Sequence, residues 1–115
     1  MALSEFEIRR CEKKMAGFME RKRPFPGIRD RVDLGWRLEK QSVEIFEIRP
    51  QWDNPGEKLE IPLARATFVR TQNLWKVYWR RAMMKWHRYE PNPSVDRFEE
   101  FLDLVEADRY GCFFG

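Results

Sequence analysis

From Val32 to Leu38 apolar residues recur at every second position, and this alternation constrains the fold more than any other feature of the chain. Leu34, Trp36 and Leu38 point one way; Asp33, Gly35, Arg37 and Glu39 point the other. A tight turn at Lys40-Gln41 pairs Leu38 with Val43 and Trp36 with Ile45. It also sets Phe46 across from Gly35, where an aromatic ring covers the backbone that a strand glycine leaves bare. The pattern predicts a β-hairpin of residues 32–39 and 42–49.

The same period returns further on. Ala64, Ala66 and Phe68 alternate with Arg65, Thr67 and Val69, and Trp75, Val77 and Trp79 alternate with Lys76, Tyr78 and Arg80. A turn near Gln72-Asn73 then pairs Phe68 with Val77 and Ala66 with Trp79. A shorter strand from Lys85 to Tyr89 pairs back through a loop at 81–84 and aligns Trp86 with Trp79. The stretch Pro50 to Glu60, with Asn54-Pro55-Gly56 at its centre, reads as a loop. Together these segments make an antiparallel meander of five strands.

Helical periodicity brackets the meander. Ser4-Glu5-Phe6-Glu7 is a capping box, and Ile8, Cys11, Met15, Phe18 and Met19 follow at helical spacing, which predicts a helix over 5–21. Asn92-Pro93-Ser94 reads as a second helix start, with Val95, Phe98, Phe101, Leu102 and Val105 as its buried stripe and an end near Asp108. The architecture expected is α+β: N-terminal helix, five-stranded antiparallel meander and C-terminal helix, with both helices on one face of the sheet. At 115 residues the chain is expected to be a single domain, 1–115. The ending, Tyr110 to Gly115, is apolar enough either to dock onto the protein's own core, turned back at Gly111, or to dock onto another protein.

Composition excludes several classes. Nine Phe, five Trp and three Tyr are too many for a disordered chain. Two cysteines near opposite ends do not make a disulfide framework, and they read as small buried hydrophobes of a reducing compartment. No apolar run reaches the ~18 residues of a membrane span, and the N-terminus lacks the layout of a signal peptide, so a cytoplasmic protein with no membrane partner is expected. Structural zinc usually takes four Cys or His ligands and the chain has one His and two Cys, so no metal and no cofactor is expected.

The segments Gln41 to Glu47 with Arg49-Pro50, Leu74-Trp75 through Tyr78-Trp79, Lys85-Trp86-His87-Arg88-Tyr89-Glu90-Pro91 and Asp108 to Gly115 carry a further message. With the opening Met-Ala-Leu-Ser-Glu-Phe-Glu-Ile, they resemble a small bacterial family of unknown function, numbered 3024 among such domains. The likeness covers nearly the whole chain. It implies a bacterial protein and carries over no catalytic residue, cofactor or mechanism.

Charge gives the strongest functional lead. The net charge of +3 conceals a partition. Residues 61–89 hold seven basic residues and no acidic one, while 90–108 hold seven acidic residues and only Arg97. On the predicted registers, Arg65, Lys76, Tyr78, Arg80, Lys85, His87 and Tyr89 share the outer face of the last three strands, with Tyr78 opposite His87. Cations for phosphates beside rings for stacking are what a sheet needs to hold single-stranded nucleic acid. A non-enzymatic module that binds such an anionic partner is the function expected. Two other readings stand beside it. One is a protein-interaction module or homodimer that uses the loop residue Trp52, the sheet edge and the tail. The other is a small metal-independent ribonuclease with His87 as base, Tyr78 as proton donor and Arg80 as the cation for developing phosphorane charge.

Overall fold

The computed structural model describes residues 3–80 and 85–114. Helix α1 spans Glu5–Lys22. Its start is fixed by the capping box: Ser4 Oγ accepts from the Glu7 N–H at 3.2 Å, and Glu7 Oε1 accepts from the Ser4 N–H at 2.8 Å. Acidic Glu5 and Glu7 in the first turn and basic Arg21 and Lys22 in the last suit the helix dipole. At Arg23 the backbone becomes extended, as the residue before a proline must.

The sheet strands are β1 (Asp33–Glu39), β2 (Ser42–Pro50), β3 (Lys58–Val69), β4 (Leu74–Arg80) and β5 (Trp86–Arg88), in meander order. A two-residue strand β6 (Ser94–Val95) pairs with β4, and helix α2 runs over Phe98–Ala107. The α+β plan, with five strands in meander order between two helices, is therefore the one the alternation predicted, with β6 added. The first hairpin keeps its expected register: Leu38 faces Val43, Trp36 faces Ile45 and Gly35 faces Phe46. The Phe46 ring lies so close over Gly35 that a Cβ there would fall 2.6 Å from its Cε2.

Four details differ from the sequence expectation. Strand β3 begins at Lys58, so the loop is 51–57 rather than 50–60. A β-bulge opposite Ile45 and Phe46 permits this, because Ile45 pairs with Ala64 while Phe46 pairs with Pro62 and Leu63 is left over. Proline, which has no N–H for the ladder, is tolerated at such a place. Next, β3 and β4 pair two residues away from the expected register, with Phe68 facing Trp75, Ala66 facing Val77 and Ala64 facing Trp79. The turn is longer, and Asn73 takes a left-handed φ of 53°. A two-residue slip leaves every side chain on its expected face.

The third difference does not. Strand β5 pairs Trp79 with His87, Arg80 with Trp86 and Tyr78 with Arg88, one residue from the expected alignment of Trp86 with Trp79. A one-residue slip turns the whole strand over. The connection at 81–84, on which that expectation relied, lies outside the described residues. The fourth concerns Asn92-Pro93-Ser94, which does not start α2. Val77 donates its N–H to the Pro93 carbonyl at 3.0 Å, Val95 pairs with Trp75, and the helix begins at Phe98.

Both helices lie on one face. Cys11, Met15 and Phe18 of α1 and Phe98, Phe101, Leu102 and Val105 of α2 form one buried cluster with Val43, Ile45, Ala64, Ala66, Trp75 and Val77. The tail docks onto this core. Asp108 takes a left-handed conformation, and its carboxylate accepts from the N–H groups of Phe113 and Phe114, each at 2.9 Å. Phe113 is thereby buried with its ring 4.9 Å from that of Tyr89. At the sheet edge, Arg23 grips the Asp33 carboxylate through two 2.8 Å hydrogen bonds, and the same carboxylate accepts from the Leu34 N–H at 2.7 Å.

Arg70 at the end of β3 ties α1 to the sheet through Glu7, at 2.7 Å. The Arg70 guanidinium, helped by the Ser4 backbone, lowers the Glu7 carboxyl from its ordinary 4.5 to about 2. A lowered carboxyl stabilises the fold fully above its unfolded value and progressively less as pH falls toward the folded one. Stability is thus expected to fall between about pH 4.5 and about 2. Glu7→Gln keeps an acceptor for the Ser4 N–H but not the charge, so in acid denaturation followed by circular dichroism its stability should fall less over that window. Parallel curves for the two proteins would remove the Glu7–Arg70 pair from this role.

Candidate nucleic-acid interface

With the helices on one face, the charge partition resolves into two addresses. The acidic helix is answered by α1: Arg10 and Lys14 meet Glu99 at 3.0 and 3.9 Å, and Arg21 meets Glu106 at 2.7 Å. None of these carboxylates reaches over the basic strands, whose outward side chains face away from both helices.

Carried across the strands, the registers set this uncovered face in rows. One row is Arg37, Glu44, Arg65, Tyr78 and Arg88. Beside it, nearer the β1–β2 turn, runs Glu39, Ser42, Thr67, Lys76 and Ser94. On the other side Arg80 faces Trp86. At the β1–β2 end Arg37 is already engaged: its guanidinium lies 4.4 Å from the centre of the Phe46 ring and is ion-paired with Glu60.

The β3–β5 end is different. Lys76, Tyr78 and Arg80 are the outward residues of β4, all half-buried, and none has a hydrogen-bond or ion-pair partner among the described residues. The Arg80 Nε is buried without an acceptor among the described residues. Its guanidinium lies 5.4 Å from the centre of the Trp86 ring, and that of Arg65 lies 5.9 Å from it. Arg65 also donates to Ser42 Oγ at 3.3 Å, and Ser42 Oγ is 2.9 Å from Thr67 Oγ1. A buried polar atom without a partner is uncommon in a finished fold, and the Arg80 Nε singles this end of the sheet out.

The structure thus brings together Arg65, Lys76, Tyr78 and Arg80 as the alternation predicted, and removes two residues from the set. His87 and Tyr89 belong to the helix side, because β5 is turned over. His87 lies beside the Trp79 ring at 6.5 Å between centroids, and Tyr89 is buried against Phe113. Lys85 is exposed just ahead of β5. Trp86, expected inside with Trp36, Trp75 and Trp79, is the aromatic residue the sequence reading missed on this face, joined by Arg88, which pairs with Glu90 at 3.3 Å. The same turnover separates the ribonuclease constellation: His87 is on one face of the sheet, Tyr78 and Arg80 on the other. Trp52 is 93% exposed in the β2–β3 loop. Burial pushes the Cys11 thiol up to about 12, so it is an inert core group. No cluster of three or more His, Cys, Asp or Glu suited to a metal ion occurs among the described residues.

The profile of a family described as "Domain of unknown function (DUF3024)" matches residues 3–115. The chain belongs to this family. The match makes the arrangement above that of a DUF3024 domain and brings no activity with it. No curated protein and no solved structure matches the chain.

A cationic face without counter-charges is not optimised for stability. Three cations near one another on it repel, so neutralising one should relieve the fold. Lys76→Thr, which sets a threonine across from Thr67, is expected to unfold at the same temperature as the parent protein or higher, a gain of up to about 1 kcal/mol. Calorimetry checks this; a loss larger than that would make Lys76 a structural residue.

Proposed function

We propose that this DUF3024 domain binds single-stranded nucleic acid, without catalysis, on the uncovered face of β3, β4 and β5. The observation that carries the reading is the run of half-buried Lys76, Tyr78 and Arg80 along β4, none with a hydrogen-bond or ion-pair partner among the described residues, flanked by Arg65 and Trp86. Phosphates would supply the anions that Lys76, Arg65 and Arg80 lack, and bases would supply flat surfaces for Tyr78 and Trp86. A single strand suits the face better than a duplex, whose bases are stacked on one another and unavailable to rings standing on a sheet. Several arginines elsewhere have carboxylates of their own: Arg10, Arg21, Arg23 and Arg70 are each ion-paired. The two free thiols suit a reducing compartment, and with the family likeness they support a bacterial cytoplasmic setting. No helix among the described residues is long and apolar enough to cross a membrane.

The test is fluorescence anisotropy with a labelled single-stranded oligonucleotide over a series of salt concentrations. Release of counterions by three cation–phosphate contacts predicts log K falling with log salt at a slope of about −2. Lys76→Glu with Arg80→Glu should abolish binding, and Trp86→Ala should weaken it by about 1–3 kcal/mol with the slope retained. Binding indifferent to salt and to the double charge reversal, or a stable dimer that buries this face and takes no oligonucleotide, would overturn the reading.

A further inference from the structure

Two recesses lie on the uncovered face, of about 650 Å³ over β1–β3 and about 560 Å³ over β4–β6. They are neighbours in one furrow. Its floor is the row of short side chains, Ser42, Thr67 and Ser94, with Lys76 among them. Arg65 and Tyr78 of the adjoining row form one wall, and Gln41 and Gln72 near the strand ends form the other. The two recesses meet where Thr67 pairs with Lys76 and Arg65 with Tyr78. From β1 to β5 the furrow crosses four strand spacings, about 19 Å.

The two halves differ in chemistry. Around β4 the furrow offers Lys76, with no carboxylate partner among the described residues, and the Glu90 that also lines it is paired with Arg88 at 3.3 Å. Around β2 it offers Glu44, half-buried and set between Arg37 and Arg65 in the cross-strand row, with Glu39 exposed at the rim beside Lys40. The Glu44 carboxylate has neither a hydrogen bond nor an ion pair among the described residues, because Arg37 is committed to Glu60 and Arg65 donates to Ser42. A carboxylate without a cation of its own, in a recess built to take a phosphate, would be a defect. In a recess that takes a base it is an acceptor for an exocyclic amino group, as acidic side chains are for the N4 amino group of cytosine.

Resting on the reading above, we infer that the nucleic acid crosses the strands along this furrow, with a phosphate at Lys76 and the adjacent base in the β1–β3 recess, where Glu44 selects a base that carries an amino group. Cytosine is preferred over uracil, which presents a carbonyl oxygen to the carboxylate at the same position. The phosphate contact is blind to the base and the Glu44 contact is not, so their substitutions have different signatures.

The experiment compares d(C)6 with d(U)6, oligonucleotides that differ only at C4, amino against carbonyl, and at N3, bare against protonated, by anisotropy at neutral pH and low salt. The parent protein should bind d(C)6 about tenfold more tightly. In Glu44→Gln the ratio should collapse toward one, because an amide turns either its oxygen or its NH₂ to the base. In Lys76→Ala both affinities should fall by a similar factor and the ratio should persist. Circular dichroism melting shows that each variant is folded. Equal binding of the two oligonucleotides by the parent, or a ratio untouched by Glu44→Gln, would overturn the furrow assignment and leave single-strand binding standing. No binding of either oligonucleotide would overturn both.

Discussion

Met15 and Phe18 of α1 and Phe101 and Val105 of α2 are wholly or almost wholly buried with the small residues Ala64 and Ala66 of β3, and the rest of the surface follows from this one-sided burial. A helix layer can approach a sheet closely only where the sheet presents small side chains between large ones. Here the large ones are Trp75, Ile45 and Val43 on the neighbouring strands. Once both helices are committed to that face, the other has no covering layer. Its hydrophobic needs are met locally instead: Phe46 lies over Gly35 and under Arg37, and Trp86 lies under Arg65 and Arg80. Flat guanidinium groups laid on rings keep the aromatic surface largely dry while leaving the charge in water.

The helix layer also accounts for the electrostatics. The two helices carry opposite charge along their shared boundary, and Glu99 and Glu106 spend theirs on Arg10, Lys14 and Arg21. Apart from Glu90, which pairs with Arg88, the ion pairs that leave the negative segment of the sequence therefore go to the first helix rather than to the strands that precede it. Interactions between partly exposed charges are individually weak, about 0–1 kcal/mol. Their effect here is on where the unbalanced positive charge remains.

How far each element could be read from the sequence follows from how its two faces differ. In β1 and β2 one face is apolar and the other charged, and a two-residue turn leaves a single register, so every pair from Leu38–Val43 to Gly35–Phe46 was legible. Between β3 and β4 the turn length was less well marked, but a slip of two preserves the faces, so Arg65, Lys76, Tyr78 and Arg80 were still grouped correctly. The segment 85–89 holds a ring and a polar or charged group on each alternate set: Trp86 with Arg88, or His87 with Tyr89. Local pattern cannot choose between these sets. Tertiary packing does, because Tyr89 has Phe113 to meet and Trp86 does not. Likewise Pro93-Ser94 suits a helix start as well as a strand, and the Val77 N–H decides by needing the Pro93 carbonyl. Nothing in the sequence marks the furrow, which exists only once Ser42, Thr67 and Ser94, from distant parts of the chain, fall into line across the sheet.

The clasp at Asp33 bears on how such a molecule stays dispersed. Strand β1 is the margin of the sheet, seven residues long and without a proline, and a margin of that kind offers a template on which a second chain can zip. Asp33 engages the Leu34 amide with its own carboxylate while Arg23 holds that carboxylate in place. A would-be neighbour finds one rung of the ladder already taken and a charged pair standing beside it. The margin of the sheet is thus capped at its first residue by two side chains, Asp33 and Arg23, that sacrifice no apolar contact to do so.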